Sequence, residues 1–171
     1  MTIVITDSTI LIILVKVNLI EELLNLYGNI LIPEEIFNEV VIKGKKNMKD
    51  DAIYIEKRIQ EGLIKIHSIK DTIHKDKLIK DFNIHDGEAE CIVLYFEKKA
   101  DILGTDDRKT RNVCKIFNIP NFSCLSFVLF CLNKNIFTEN QALIKLDKIN
   151  EIGWYKKNLI LQVKKQIKEV K

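Results

Sequence analysis

The chain has 171 residues, of which 47% are hydrophobic and 30% are charged, and its formal net charge is +3. This composition is ordinary for a soluble globular protein, and the length suits one domain with a proper core. No apolar run approaches the roughly 18 residues that a transmembrane helix needs. Asp7 interrupts the apolar N-terminus, which argues against a signal peptide. We therefore expect a cytoplasmic protein.

The four cysteines lie in apolar stretches and form no C-x-x-C pair: Cys91, Cys114, Cys124 and Cys131. This pattern predicts small buried side chains in a reducing compartment, and it argues against disulfides and zinc ligands.

The basic residues are unevenly distributed, with lysines crowding the C-terminus: Lys156, Lys157, Lys164, Lys165, Lys168 and Lys171. A basic terminal helix can contact nucleic acid. Runs of charge more often form a solvated helix face, and that is the favoured interpretation here.

The first half of the chain alternates short apolar runs with helical patterns. Strands are predicted at residues 3–5 and 30–32, and a third, at an edge of the sheet, at 63–69. Residues 10–27 predict two helices that break near 16–18 and end at Gly28. Pro33 opens a further helix that runs to about residue 42. A polar loop is predicted at 43–51 and a helix at 52–61.

The second half continues the alternation. A weak helix is predicted at 71–82, a strong helix at 87–98, a central strand at 102–103 and a helix at 108–117. A short strand follows near Phe122, and helices at 125–133, 138–150 and 154–170 close the chain. Strands that alternate with helices predict an α/β fold with a mainly parallel sheet of four to five strands, flanked by helices. We expect one domain over 1–171, with an α/β core to about 125 and a helical extension beyond it.

Acidic residues recur where predicted strands end or helices begin: Asp7, Glu39, Glu88, Asp106 and Asp107. The carboxyl ends of parallel strands meet at one edge of the sheet, where ligands bind. Carboxylates gathered there repel one another unless a cation lies among them, and an all-oxygen set of ligands suits Mg²⁺ or Mn²⁺. The pattern therefore predicts metal-assisted chemistry on phosphate esters.

Each of these acids also has a purely structural interpretation. Asp7 suits a helix cap, Glu88 favours a helix N-terminus, and Asp106 and Asp107 suit a turn. Glu39 resembles many surface glutamates. Taken singly, these interpretations are at least as good as the metal site, but together with the strand placement the metal site is favoured.

Four segments of the chain resemble the PIN-domain family, which includes the VapC-type toxin ribonucleases. They are residues 3–9 (IVITDST), 32–40 (IPEEIFNEV), 85–92 (HDGEAECI) and 105–111 (TDDRKTR). The third matches a G-E-x-E-A helix start and the fourth a D-D-x-x-x-R element, both typical of a prokaryotic branch formerly called a domain of unknown function. The order and spacing of all four segments carry the resemblance over nearly the whole chain.

The resemblance implies a PIN-like Rossmannoid fold and a Mg²⁺- or Mn²⁺-dependent endoribonuclease. It implies that Asp7, Glu39 and Glu88 are catalytic metal ligands, with a fourth acid at Asp106 or Asp107 and Asp106 slightly favoured. Thr6, Ser8 and Thr105 are candidate supporting residues that would hydrogen-bond the carboxylates or a metal-bound water. Arg108 and Arg111 are candidate contacts to RNA, with a local ion pair as the equal alternative. Glu90 is expected to be a supporting or surface residue.

RNA is the expected substrate, and no membrane partner is expected. Toxin-type relatives often accompany a small antitoxin protein and self-associate, so an antitoxin and a homodimer are candidate partners. Two alternatives stay open: a catalytically weak PIN-fold module that binds RNA or protein, and a phosphatase of the haloacid dehalogenase type with Asp7 as nucleophile. The second leaves Glu39 and Glu88 without a role.

Overall fold

The computed structural model describes residues 2–169. The chain divides into two compact units, Met1–Phe122 and Ser123–Lys171, which we call the α/β unit and the helical unit.

The α/β unit is built on a five-stranded sheet in which every pairing is parallel. The strands are β1 (Val4–Thr6), β2 (Ile30–Pro33), β3 (Ile64–His67), β4 (Ile102–Gly104) and β5 (Asn121–Phe122), in the order β3-β2-β1-β4-β5. The central strand β1 is buried along its whole length, as its uninterrupted β-branched run requires. The predicted α/β class and the predicted edge position of β3 are confirmed.

The helices of this unit follow the strands in alternation. They are α1 (Ser8–Lys16), α2 (Ile20–Tyr27), α3 (Glu34–Phe37), a π-helical stretch (Asn38–Lys43), α4 (Gly44–Lys46), α5 (Asp50–Gln60), α6 (Thr72–Phe82), α7 (Asp86–Lys98) and α8 (Arg108–Ile116). The predicted break between the first two helices is present. Asn18 adopts the left-handed conformation there, with φ of 54°, which asparagine tolerates better than most residues.

The polar loop predicted at residues 43–51 is wrong. The helical chain continues through Lys46, and α5 already begins at Asp50. Gly44 allows α4 to pack closely against α5, since a Cβ atom at Gly44 would lie 2.7 Å from the Cβ of Ala52. The polar side chains of this segment face solvent from a helix, and lysine is a good helix former, so polarity did not indicate a loop.

The helical unit contains α9 (Cys124–Asn133), α10 (Glu139–Ile152) and α11 (Lys157–Glu169). Thr138 caps α10 by accepting a hydrogen bond from the Gln141 backbone N–H at 3.3 Å. The predicted start of the last helix at Trp154 is three residues early, and its predicted end at Val170 lies outside the described residues. The apolar helix α9 is largely buried, and all four cysteines of the chain are buried thiols. Within residues 2–169, no helix combines the length and apolar character needed to cross a membrane.

Candidate active site

The ends of β1 and β4 bring two of the predicted acidic segments together. Thr6 pairs with Gly104 in the sheet, and the backbone N–H of Asp7 donates to the carbonyl of Gly104 at 3.0 Å. Asp7 therefore lies beside the chain that leaves β4 at Thr105, and both residues are buried, with exposures of 2% and 0%. The register of β1 against β4 is therefore enough to place Asp7 beside Thr105.

Asp7 is a buried carboxyl group with two local hydrogen bonds. Its Oδ1 accepts from the backbone N–H of Ile10 at 2.9 Å and so caps α1. Burial raises the pKa of Asp7 to about 7, although the bonds from Ile10 and Thr105 lower it. The negative charges of Asp106 and Glu88 raise it further. The site thus holds a carboxyl group whose ionisation is disfavoured unless a positive charge is near.

Glu88 lies in the first turn of α7. Its Oε2 accepts from the backbone N–H of His85 at 2.8 Å, and the His85 side chain accepts from the Glu88 backbone in return. Burial raises the pKa of Glu88, the bond from His85 lowers it, and the charge of Asp107 raises it. Glu88 is therefore within electrostatic reach of the chain that follows β4.

Glu39 reaches the same place from the π-helical stretch that follows α3. A Cβ atom on Gly87 would lie 3.5 and 3.6 Å from the two carboxylate oxygens of Glu39, and 2.8 Å from Cδ1 of Ile36. The missing side chain at Gly87 lets this segment approach α7 closely. Single π-helical turns are frequent at functional sites because they redirect the side chains of a helix.

A cavity of about 220 Å³ joins three of the predicted acids. It is lined by Asp7, Ser8, Thr9, Ile36, Glu39, His85 and Glu88. The side chains come from three separate helical segments, so the tertiary fold, and not local sequence, assembles the cavity.

The buried thiol of Cys91 lies close to the same group of acids. Its Sγ donates to the carbonyl oxygen of Thr6 at 3.5 Å. Burial raises the pKa of Cys91 well above its usual range, and four nearby carboxylates raise it further: Asp7, Glu90, Glu39 and Glu88. Four negative groups from three parts of the chain therefore act on this buried thiol.

A family model described as a PIN domain matches residues 3–169. The chain belongs to the PIN-domain family. No curated protein is a significant match to the chain. PIN domains are generally nucleases, and they generally use divalent metal ions.

The adjacent acids Asp106 and Asp107 differ in their surroundings. Asp107 caps α8, with Oδ1 accepting from the backbone N–H of Thr110 at 2.7 Å and from its hydroxyl at 2.9 Å. Asp106 acts on the pKa of Asp7, whereas Asp107 acts on that of Glu88. Both are partly exposed, and neither lines the cavity itself.

The predicted supporting and RNA-contacting residues have distinct positions. Thr105 hydrogen-bonds Asp7 and accepts from the backbone N–H of Asp107 at 3.2 Å. Ser8 lines the cavity, and the Oγ1 of Thr6 is buried with no hydrogen-bond partner among residues 2–169. Arg108 is exposed at the start of α8, while the buried Nε of Arg111 likewise has no hydrogen-bond partner in the described part of the chain.

Two residues of this PIN domain that the sequence did not single out, and one whose role it left open, contribute to the site. His85 and Thr9 line the cavity. Glu90, expected to be a supporting or surface residue, accepts a hydrogen bond from the backbone N–H of Glu35 at 3.2 Å and pairs with Lys75 at 3.6 Å. It therefore holds the first turn of α3 against α7. In the sequence, Gly87 and Glu90 are three residues apart, which places both on one face of a helix. This spacing was the signal that could have pointed to the contact with α3.

The donor set of this PIN domain fits a hard divalent cation. All of its candidate ligands are carboxylate oxygens, one of them buried, and Gly87 leaves room for the Glu39 carboxylate. Among residues 2–169, no three acidic, histidine or cysteine side chains are already arranged to coordinate one ion. Asp7, Glu88 and Asp107 each bind a helix N-terminus through one oxygen instead. The N–H groups at a helix start stabilise negative charge, and so they stabilise carboxylates that repel one another.

Proposed function

We propose that the protein is a Mg²⁺- or Mn²⁺-dependent endoribonuclease that hydrolyses RNA phosphodiesters with an activated water. The observation that carries the proposal is the meeting of Asp7, Glu39 and Glu88 in one cavity at the carboxyl edge of a parallel sheet. Membership of the PIN-domain family supports nuclease chemistry. Besides the acids, the cavity is lined by the hydroxyls of Ser8 and Thr9 and the imidazole of His85, and hydrolysis by a metal-activated water needs none of them as a nucleophile.

The residues that would hold the metal are Asp7, Glu39 and Glu88, with Asp106 or Asp107 as the fourth acid. A divalent ion bound there would lower the pKa of a water molecule and offset the charge that develops on the phosphate. Thr105 keeps Asp7 oriented through its hydrogen bond. Exposed Arg108 follows the segment that leaves β4, and its positive charge suits a contact with a phosphate of the substrate.

Asp7→Asn provides the test of this proposal. The amide keeps the oxygen that caps α1 but removes the charge that would hold the cation, so we expect loss of RNA cleavage with the fold intact. Asp81→Asn, at an exposed position on α6, is the matched control and should cleave like wild type. The measurement is cleavage of a labelled single-stranded RNA in Mn²⁺, with circular dichroism for the fold. Full activity of the Asp7 variant would reject the assignment.

The phosphatase alternative has lost its support, because the chain belongs to the PIN-domain family and the cavity uses Glu39 and Glu88. The RNA- or protein-binding module is the remaining alternative. Calorimetric titration with Mn²⁺ separates it from the nuclease. A protein that binds RNA but gives no heat with Mn²⁺ would be a module without metal chemistry.

We also propose a role as the toxin of a toxin–antitoxin pair, which rests on the resemblance to VapC-type ribonucleases. A short reading frame overlapping this gene would support the role. Growth arrest on expression, relieved by the product of that neighbouring frame and absent for Asp7→Asn, would establish it. Unimpaired growth with active wild-type protein would refute it.

A further inference from the structure

The two units of the chain differ in charge. Residues 123–171 contain nine lysines and four acidic residues, a formal charge of +5, whereas residues 1–122 contain 18 basic and 20 acidic residues, a formal charge of −2. The net positive charge of the protein therefore comes entirely from the helical unit. A polyanion is attracted to that unit and repelled on average by the unit that carries the acidic cavity.

The positive charge is concentrated on one side of α11. Lys157, Lys164 and Lys168 share a helix face with Leu161, and Lys165 borders it. We call these five residues the basic face. The adjacent side of α11 is apolar and buried through Ile160, Val163 and Ile167. The basic face extends for about 16 Å along the helix, at 1.5 Å per residue.

The ion pairs of this unit leave most of that charge available. Lys164 pairs with Asp147 of α10 at 2.7 Å, which fixes α11 on its neighbour. Lys165 lies 3.7 Å from Glu169, but both side chains are well exposed, so water screens the pair. Within residues 2–169, Lys157 and Lys168 form no ion pair.

An aromatic side chain stands at the start of this face. Trp154 lies three residues before α11 and is fully exposed. The ring of Tyr155 folds back over Gly153, where a Cβ atom would lie only 2.2 Å from that ring. The turn in the chain thus leaves the indole of Trp154 projecting into solvent. A large exposed aromatic next to a lysine row is the combination that binds single-stranded nucleic acid, through stacking and phosphate contacts.

We propose that the helical unit is a docking surface for single-stranded RNA, in which the basic face contacts phosphates and Trp154 stacks on a base. The inference rests on the proposed ribonuclease function, which supplies the reason for RNA as the polyanion. It assigns a role to Trp154 and to the C-terminal lysines, which take no part in the acidic cavity.

The only tryptophan in the chain makes the proposal directly measurable. Full-length wild-type protein in EDTA, which prevents metal-dependent cleavage, is titrated with an unstructured RNA 20-mer while the tryptophan emission is followed. Stacking on Trp154 should quench the emission to a saturating value. Trp154→Ala, assayed with a fluorescently labelled RNA, should bind about 5- to 150-fold more weakly, and Trp154→Phe should recover part of this loss. Unchanged emission at saturating RNA overturns the role of Trp154.

The lysines are tested by the salt dependence of binding. Changing Lys157, Lys165 and Lys168 together to Gln should reduce the slope of log affinity against log salt by about 2, since each phosphate contact to a single strand contributes about 0.7. Lys164 is left intact to preserve its pair with Asp147. The matched control changes three exposed lysines of the α/β unit to Gln, namely Lys46, Lys77 and Lys80. Its slope should equal that of wild type, and an equal fall in both triple variants would overturn the proposal.

Three further outcomes separate this inference from its alternatives. If vesicles containing phosphatidylserine quench Trp154 and RNA does not, the surface binds lipid and the proposal is overturned. If RNA binds as described but Mn²⁺ produces no cleavage, the docking surface stands and the proposed nuclease function fails. If RNA is cleaved without quenching, and the salt slope of the lysine variant is unchanged, the proposed nuclease function stands and the docking surface fails.

Discussion

Asp7→Asn should stabilise the metal-free protein at neutral pH even though it removes a group of the candidate active site. The pKa of Asp7 is raised from its ordinary value of 3.8 to about 7, mainly by burial. A shift of about three pKa units corresponds to roughly 4 kcal/mol of stability. Asparagine has nearly the same shape, keeps an oxygen for the Ile10 backbone N–H, and carries no charge to bury.

The sign of the pH dependence follows from the direction of the shift. The folded protein holds the Asp7 proton more tightly than the unfolded chain does. The wild type therefore has this stability in full below about pH 4 and loses it as the pH rises to about 7. The variant has no such dependence. Its advantage over wild type should grow by roughly 3 kcal/mol between pH 5 and pH 8.

Urea denaturation followed by circular dichroism in EDTA measures this advantage at the two pH values. Asp81→Asn, which changes an exposed carboxylate, should show no comparable change. Mn²⁺ at pH 8 should offset most of this advantage, because an ion bound only to the folded wild type adds about 2.7 kcal/mol at a concentration 100 times its Kd, against roughly 4 kcal/mol for the variant. A variant less stable than wild type in EDTA at pH 8, or an advantage equal at both pH values, would refute the reasoning about Asp7.

Two further predictions concern the contact between α7 and the segment that carries Glu39. Gly87→Ala places a methyl group 2.8 Å from Cδ1 of Ile36, so it should cost about 1–3 kcal/mol in urea denaturation and weaken Mn²⁺ binding in calorimetry. Glu90→Ala removes the acceptor for the first turn of α3 and the partner of Lys75. It should cost about 1–3 kcal/mol and weaken Mn²⁺ binding, whereas Glu90→Gln, which keeps an acceptor oxygen, should lose less. Unchanged Mn²⁺ affinity in both would contradict a shared role in positioning Glu39.

The parts of the fold that could be predicted are those with strong local patterns. The run at residues 3–5 is β-branched and has no polar interruption, which indicated a buried strand, and the observed strand Val4–Thr6 is the centre of the sheet. The break between α1 and α2 was visible because the polar residues there end the apolar period. The helical turns after residue 42 were missed because their lysines face solvent, while the feature that packs them, the contact of Gly44 with Ala52, joins two different helices.

The candidate site also contains parts that the sequence could predict and parts that it could not. Asp7 and Glu88 could be proposed because one follows a strand and the other begins a helix, and the parallel sheet brings such positions to one edge. Glu39 was proposed from its place in the helix after β2 as well as from the family resemblance, and its position depends on a π-helical stretch that no simple periodicity indicates. The separate surroundings of Asp106 and Asp107 depend on which oxygen caps α8, and adjacent residues of one type carry no such information in the sequence.

Helix capping and metal binding, which compete as explanations for single acids in the sequence, act together in the structure. Asp7, Glu88 and Asp107 each accept backbone N–H groups at the start of a helix. For Asp7 and Glu88 these bonds lower the pKa and oppose the effect of burial. The helix starts therefore help to keep the carboxylates ionised, which a cation requires of its ligands. Because helices that follow parallel strands begin at the carboxyl edge of the sheet, the capping positions and the candidate metal ligands fall in the same place.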